Sequence, residues 1–341
     1  MLAGDFGPAT QMAMRILATM AGVYGAPALL DIESAHIDGC LYHGYSGLEF
    51  ARRLVNGGAQ VVVPTTLNVG AVDLLHPEYF RGSAEVGRHA TELMAAYESR
   101  GGPPIWTCAP YQTAQRPAFG TQIAWAESNA IVFANSVLGA RTNRYGDFID
   151  ICAAITGRAP AVGLHLTENR RAQILFRLED LPERLLHEDV LYPVLGYFIG
   201  ARAGTKIPAI AGLSSTTTED QLKALGAATA SSGAVALFHA IGVTPEAPTL
   251  EEAFHGKAPE QEIAVTLDDL RALGVQVVVD TCVVVTPLVR ARQGVLMTNS
   301  GKFAHYTPGN IGLQVAFGSL EECVRSGANG QVWRDESLWQ A

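Results

Sequence analysis

Short apolar runs that end in polar turns alternate with helix-length segments along this chain, and that alternation is what most constrains its fold. Residues 28–32, 60–64 and 105–108 read as buried strands, with another at 275–279. Between them, 8–21, 48–56, 84–100 and 126–139 carry apolar residues at helical spacing, several closed by glycine. Strands alternating with helices of this length predict βαβ units and mostly parallel sheets. In such sheets the loops leaving the carboxyl ends of the strands carry the chemistry. His36, Asn68 and Cys108 fall at those positions, on three loops aimed at one edge.

The chain is long enough for two or three lobes, and proline-rich patches at 182–193 and 245–259 suggest boundaries. Hydrophobic residues make up 48% and charged residues 17%, which suits a well-buried enzyme and excludes a disordered chain. A net charge of −9 without a basic cluster argues against nucleic acid as a partner, though a few local arginines suffice for a small anion. Apolar runs are too short or too interrupted for a membrane span, and the N-terminus lacks the order of a signal peptide. Five cysteines suit reduced thiols better than a disulfide framework, so the cytoplasm is the expected compartment.

Cys108 and Cys282 share a local pattern of apolar strand, threonine, cysteine and then a turn or small residues. A thiolate at a strand end can ligate iron, and the alternative is two ordinary buried thiols. Cys152 sits on an apolar helical stretch and Cys323 on a helix, so both read as structural. The stretch from His36 to His43 packs two histidines, Asp38, Cys40 and Tyr42 into one loop. Glu127, Ser128 and Asn129 open a helix, which they either cap or leave open to hold a carboxylate. Arg141 and Arg144 form either an anion site or a solvated turn. Residues 299–302, Asn-Ser-Gly-Lys, look like a small anion-binding turn without phosphate-loop spacing.

Taken together, SAHIDGCLYHG (34–44), VPTTLN (63–68), WTCAPY (106–111), AWAESNAIVFANSVLGARTNRYGD (124–147), GLHLTENR (163–170), ALGAATASSGAVALFHAIGVTPEA (224–247), VVVDTCVVV (277–285) and TNSGKFAHY (298–306) resemble the aconitase X family, in that family's order. The resemblance implies an aconitase-like α/β fold of several parallel-sheet lobes around a central cleft, lacking the mobile swivel domain. It divides the chain into lobes at 1–157 and 158–262 and a shortened third at 263–341. The swivel domain would come from a small partner subunit, and with it the serine base of aconitase-like enzymes.

The implied activity is dehydration of a small hydroxy acid: cis-3-hydroxy-L-proline, giving Δ1-pyrroline-2-carboxylate, or mevalonate 5-phosphate. HIDGCLYHG and Tyr145-Gly146-Asp147 look like the hydroxyproline form. The implied cofactor is an iron–sulfur cluster, 2Fe-2S ahead of 4Fe-4S, or a mononuclear iron, on Cys108 and Cys282. Implied substrate contacts are Gly39, Cys40, Asn68, Val69, Ser128, Ser300 and Gly301, with Glu127, Ser128 and Arg144 orienting the substrate for catalysis.

One departure stands out. Family members carry, between the segments matching 265–271 and 277–282, a further stretch whose Gly-Cys/Ser-Pro-His turn can supply a third ligand, and here the two segments nearly abut. His36, Cys40 or water could replace that ligand, or the chain could be a non-catalytic paralogue that binds a small acid or its partner only.

Overall fold

A computed structural model describes residues 1–273 and 293–339, which form two compact units, 1–170 and 171–341. The expected strand at 275–279 and Cys282 lie outside the described residues.

The first unit opens with α1 (Pro8–Tyr24), which has proline in its first turn and ends on Gly25 in the left-handed conformation at φ 65°. Ala9, Ala13, Leu17 and Ala21 recur every four residues and form its buried stripe. Next come β1 (Leu29–Asp31), β2 (Ala35–Ile37), α2 (Tyr45–Asn56), β3 (Thr65–Leu67), α3 (Ala84–Glu98), β4 (Ala124–Trp125), α4 (Ser128–Phe133), α5 (Ile149–Thr156) and β5 (Arg158–Pro160). Strands β3-β2-β4 make a parallel sheet with β2 in the middle, whereas β1 pairs antiparallel with β5.

The parallel register gives the central sheet two unlike faces. His36 aligns with Thr66 and Trp125, so these three point the same way; Ala35, Ile37 and Leu67 point the other way into a core with α1, α2, α3 and α5. One face is therefore apolar, and the other is buried but polar.

The second unit contains β6 (Ile174–Leu178), α6 (Glu183–Leu186), α7 (Leu191–Ala203), β7 (Pro208–Ala211), α8 (Glu219–Ser232), β8 (His239–Ala240), α9 (Leu250–Ala253), β9 (Gln261–Val265) and α10 (Leu267–Ala272). It continues with β10 (Val295–Thr298), α11 (Gly301–Asn310), β11 (Gln314–Phe317) and α12 (Leu320–Asn329). Strands β8-β7-β6-β9 form a four-stranded parallel sheet, and β10 pairs parallel with β11. Thr218 and Gln221 exchange side-chain bonds with each other's backbone N–H groups and so start α8 with a capping box. Two glycines let α7 press on α8. A Cβ on Gly196 would sit 2.3 Å from the Leu225 carbonyl, and one on Gly200 would sit 2.4 Å from that of Thr229.

Three expected elements differ, the first being the strand expected at 105–108, which is irregular chain tied to β3 through the Thr107 N–H on Leu67 O. Residues 60–63 form no strand, because their amides bond to separate partners: Val61 N–H to Arg100 O and Val62 N–H to Ala154 O. The helix expected over 126–139 starts two residues later as α4, then widens into a π-helical turn over Ala134–Leu138. Among the described residues no helix is long and apolar enough to cross a membrane.

Candidate active site

Four loops meet at the carboxyl edge of β3-β2-β4. The backbone fixes each one: Asn68 N–H donates to Ile37 O at 2.9 Å, Thr107 N–H to Leu67 O at 3.1 Å, and Ala126 N–H to His36 O at 3.0 Å. Asp38, Gly39 and Cys40 therefore leave β2 beside Asn68 and Val69 leaving β3, with Cys108 and Glu127–Ser128 to either side. The side-chain amide of Asn68 donates to the Asp38 carboxylate.

Gly39 is required by space. A Cβ there would lie 2.8 Å from the Asp147 carbonyl and 3.0 Å from the Tyr97 hydroxyl. Cys40 has no exposed surface, and its thiol faces Ile37 O at 3.5 Å. Burial, then Asp150 and Asp38, push that thiol's pKa far up, favouring the protonated thiol. Glu127 adopts φ 73° although it is not glycine, a strained conformation that surrounding structure must enforce. Its carboxylate accepts the Ala130 N–H at 2.9 Å and the Ser128 hydroxyl at 3.2 Å, so it caps α4.

Arg144 is exposed on the loop that brings Asp147 against Gly39. Between that loop and α2, a cavity of about 110 Å³ is lined by Gly39, His43, Gly44, Ser46, Gly47 and Asp147. It includes the N-terminal turn of α2, where Gly44 provides no side-chain cap. Ser300 and Gly301 belong to the second unit. They lie at the carboxyl end of β10 where α11 begins, and the buried Ser300 hydroxyl has no hydrogen-bond partner among the described residues.

The residues present fit an iron group in part. Cys108 is a half-buried thiol at the converging edge, and Asn68 Oδ1 is buried there without a partner among the described residues. A buried acceptor of that kind calls for a donor that the described residues do not supply. No cluster of three or more His, Cys, Asp or Glu side chains occurs among the described residues.

Two buried histidines were not assigned as proton-handling groups by sequence. His36 Nδ1 meets Thr66 Oγ1 at 2.8 Å while its Nε2 has no partner among the described residues. Burial lowers its pKa from 6.5 to about 4, against a smaller opposing pull from Glu127. His165 sits between Tyr145 and Gln122, its Nδ1 2.6 Å from Gln122 Oε1, and burial with Arg170 and Arg141 lowers it to about 4 as well.

Both therefore fold neutral. Between pH 6.5 and 4 the unfolded chain holds protons that the folded one refuses, so their stabilisation is complete above pH 6.5 and is lost as pH falls toward 4. Stability should drop by about 1.4 kcal/mol per pH unit for each histidine inside that window. Urea midpoints at pH 7, 6 and 5 measure it, and His165→Gln should flatten the slope. Equal midpoints at pH 7 and 5 would rule it out.

Family models for the first, second and third domains of aconitase X match residues 1–168, 172–274 and 251–329. The chain is 40% identical to a cis-3-hydroxy-L-proline dehydratase of Pseudomonas aeruginosa, covering 97% of this chain and 69% of that protein. It is 37% identical to a protein of the same name from Hypocrea jecorina, over 96% of this chain and 67% of that one. It is 34% identical to the phosphomevalonate dehydratase large subunit of Methanothermobacter thermautotrophicus, over 94% and 95% of the two chains. The alignment to the Pseudomonas protein runs over 403 residues, more than the 341 of this chain, so that relative has segments without counterparts here. The crystal structure of Thermococcus kodakaraensis aconitase X in its holo-form superposes with a TM-score of 0.72 at 29% identity, covering 99% of this chain and 96% of that one. Three family domains in chain order and a matching fold over nearly the whole length agree: the chain belongs to the aconitase X family.

Proposed function

We propose that this chain is the large, catalytic part of a hydro-lyase that converts cis-3-hydroxy-L-proline to Δ1-pyrroline-2-carboxylate. The observation that carries the reading is the convergence of Asp38–Cys40, Asn68, Cys108 and Glu127–Ser128 on one sheet edge of an aconitase X chain. Two hydroxyproline dehydratases match at 40% and 37% identity over 97% and 96% of the chain, whereas the phosphomevalonate dehydratase large subunit that matches at 40% does so over 80% of it, which supports this substrate.

The reaction removes the Cα proton and the 3-hydroxyl, leaving an enamine that tautomerises to the imine with net loss of water. Cys108 and Cys282 would hold an iron–sulfur cluster, 2Fe-2S ahead of 4Fe-4S, or a mononuclear iron. When bound, that group supplies Lewis acidity toward carboxylate and hydroxyl oxygens. The chain's own residues bind and orient. Backbone N–H groups of the Gly39–Cys40 turn and of the α2 N-terminus receive the carboxylate, where the helix dipole favours negative charge. Asn68 Oδ1 accepts from the substrate's hydroxyl or ring nitrogen. Val69 closes the apolar side of the ring, and Ser128, set by Glu127, and Arg144 hold its polar rim. Ser300 and Gly301, where α11 begins, are further candidates for substrate contact. The base is a serine on a small swivel-domain subunit, and the assembly works in the reducing cytoplasm.

Gly39→Ala should lower kcat/KM by about tenfold or more, chiefly through KM, because the new methyl group displaces the turn from Asp147. Steady-state kinetics would show it, and an unchanged KM would count against this placement of the carboxylate.

Anaerobic reconstitution with iron and the swivel subunit, followed by assays on cis-3-hydroxy-L-proline and mevalonate 5-phosphate, tests the reading. Turnover of the first alone is expected. Turnover of the second alone would transfer the chain to the phosphomevalonate branch. No turnover by an iron-loaded complex would favour the non-catalytic paralogue.

A further inference from the structure

Helix α5 is buried throughout residues 150–156, and its side chains are apolar or nearly so except for one carboxylic acid, Asp150, which has no exposed surface. No ion pair with a cation is formed by Asp150 among the described residues. Placing a carboxyl group there is costly unless each oxygen is given a donor. Both are: Oδ1 accepts the Ile151 N–H at 2.6 Å, and Oδ2 accepts the Asp38 N–H at 2.8 Å. The second bond joins residues 112 apart in sequence and reaches the first residue of the turn after β2.

Asp150 takes the Asp38 N–H, the Asp38 carboxylate takes the Asn68 amide, and the Asp147 carbonyl and Tyr97 hydroxyl press against Gly39. The Gly39 N–H has no acceptor among the described residues, and Gly39 lines the cavity beside α2. We infer that Asp150 is a positioning residue: by fixing the Asp38 amide, it sets the Gly39–Cys40 backbone at the orientation that receives the substrate carboxylate. This rests on the dehydratase reading above. Burial is the largest influence on the Asp150 carboxyl and raises its pKa, while the two N–H bonds that its oxygens accept oppose that rise.

The test compares Asp150→Asn with Asp150→Ser in the iron-loaded complex with the swivel subunit. Asparagine keeps an acceptor at the same reach and should leave KM for cis-3-hydroxy-L-proline within about threefold of wild type. Serine falls short of Asp38 and should raise KM by about tenfold or more, with kcat within about threefold. A loss of folded protein lowers apparent kcat but not KM, so the split separates positioning from mere stability. If the serine variant does not fold, Asp150→Glu, which pushes the acceptor too far by one methylene, is expected to give the same rise in KM. Turnover by the wild-type complex with KM unchanged in serine and glutamate variants would overturn the inference alone. Absence of wild-type turnover on this substrate would overturn the dehydratase reading and the inference with it.

Discussion

Cys108→Ser is expected to cut turnover of cis-3-hydroxy-L-proline by roughly a thousandfold and to remove bound iron in parallel, because losing the Lewis acid withdraws about 4 kcal/mol from the transition state. Serine matches cysteine in shape, but its hydroxyl stays protonated where a thiol ionises, and it is a harder donor. Cys108 is half-buried in the loop that Thr107 anchors to Leu67, outside the packed cores, so folding stability should change by less than about 1 kcal/mol. Cys152→Ser is the control. That thiol is fully buried in the core on α5, and burial raises its pKa, so its replacement should cost stability and leave iron content intact. Iron per chain and visible absorbance, measured on both variants beside thermal unfolding, decide between them. A Cys108→Ser protein with full iron content would remove Cys108 from the ligand set.

The sequence pattern pointed to the carboxyl edge of β3-β2-β4 by an imperfect route. Cys108 lies in irregular chain with no strand before it, whereas Asn68 lies on the loop beyond β3, as the alternation of apolar runs and polar turns suggested. His36 is a residue of β2 itself, facing Thr66 across the sheet. The valine run at 61–63 has strand composition, yet Val62 is 61% exposed and the true ladder begins only beyond Pro64. Composition reports which residues prefer a pleated surface, whereas pairing depends on which neighbour arrives, and here none does. For residues 28–32 the strand was legible, but its antiparallel partner β5 comes from a segment that sequence order places far away.

The positioning residues were harder to see for the same reason. Asp150 in isolation looks like an acid favourably placed in the first turn of a helix, and only the tertiary fold brings it to Asp38. Glu127 and Ser128 admitted two readings from sequence, cap or carboxylate site. The carboxylate of Glu127 does cap α4, but in the strained left-handed conformation, and a cap alone does not need that strain. Long-range polar contacts leave no periodic trace, so a pattern read along one chain finds elements and edges and misses what locks them together.

Arg170→Ala should be the most destabilising single change in the first unit, at about 3–5 kcal/mol, because it breaks a buried polar network by removing its cation. Arg170 is 1% exposed. Its guanidinium donates to Asn135 Oδ1 at 3.0 Å, Leu164 O at 2.9 Å and Asn135 O at 2.9 Å. Asn135 in turn donates to Thr142 O and accepts the Thr142 N–H, while Thr142 Oγ1 accepts the N–H of Trp125 in β4. One side chain thus ties the 163–170 segment to the π-helical turn and, through Thr142, to the strand that delivers Glu127. Alanine leaves two carbonyls short of a donor and opens a cavity where the side chain lay. Lysine restores the charge without the planar fork and should recover less than half of the loss. Urea unfolding of Arg170→Ala, Asn135→Ala and the double variant measures the coupling: the double should cost less than the sum, since each single change already breaks the shared bonds. A loss below about 1 kcal/mol for Arg170→Ala would mean that water replaces the guanidinium without penalty. In that case the 163–170 segment would be held instead by Asn143, which bonds Val162 O and the Leu164 N–H.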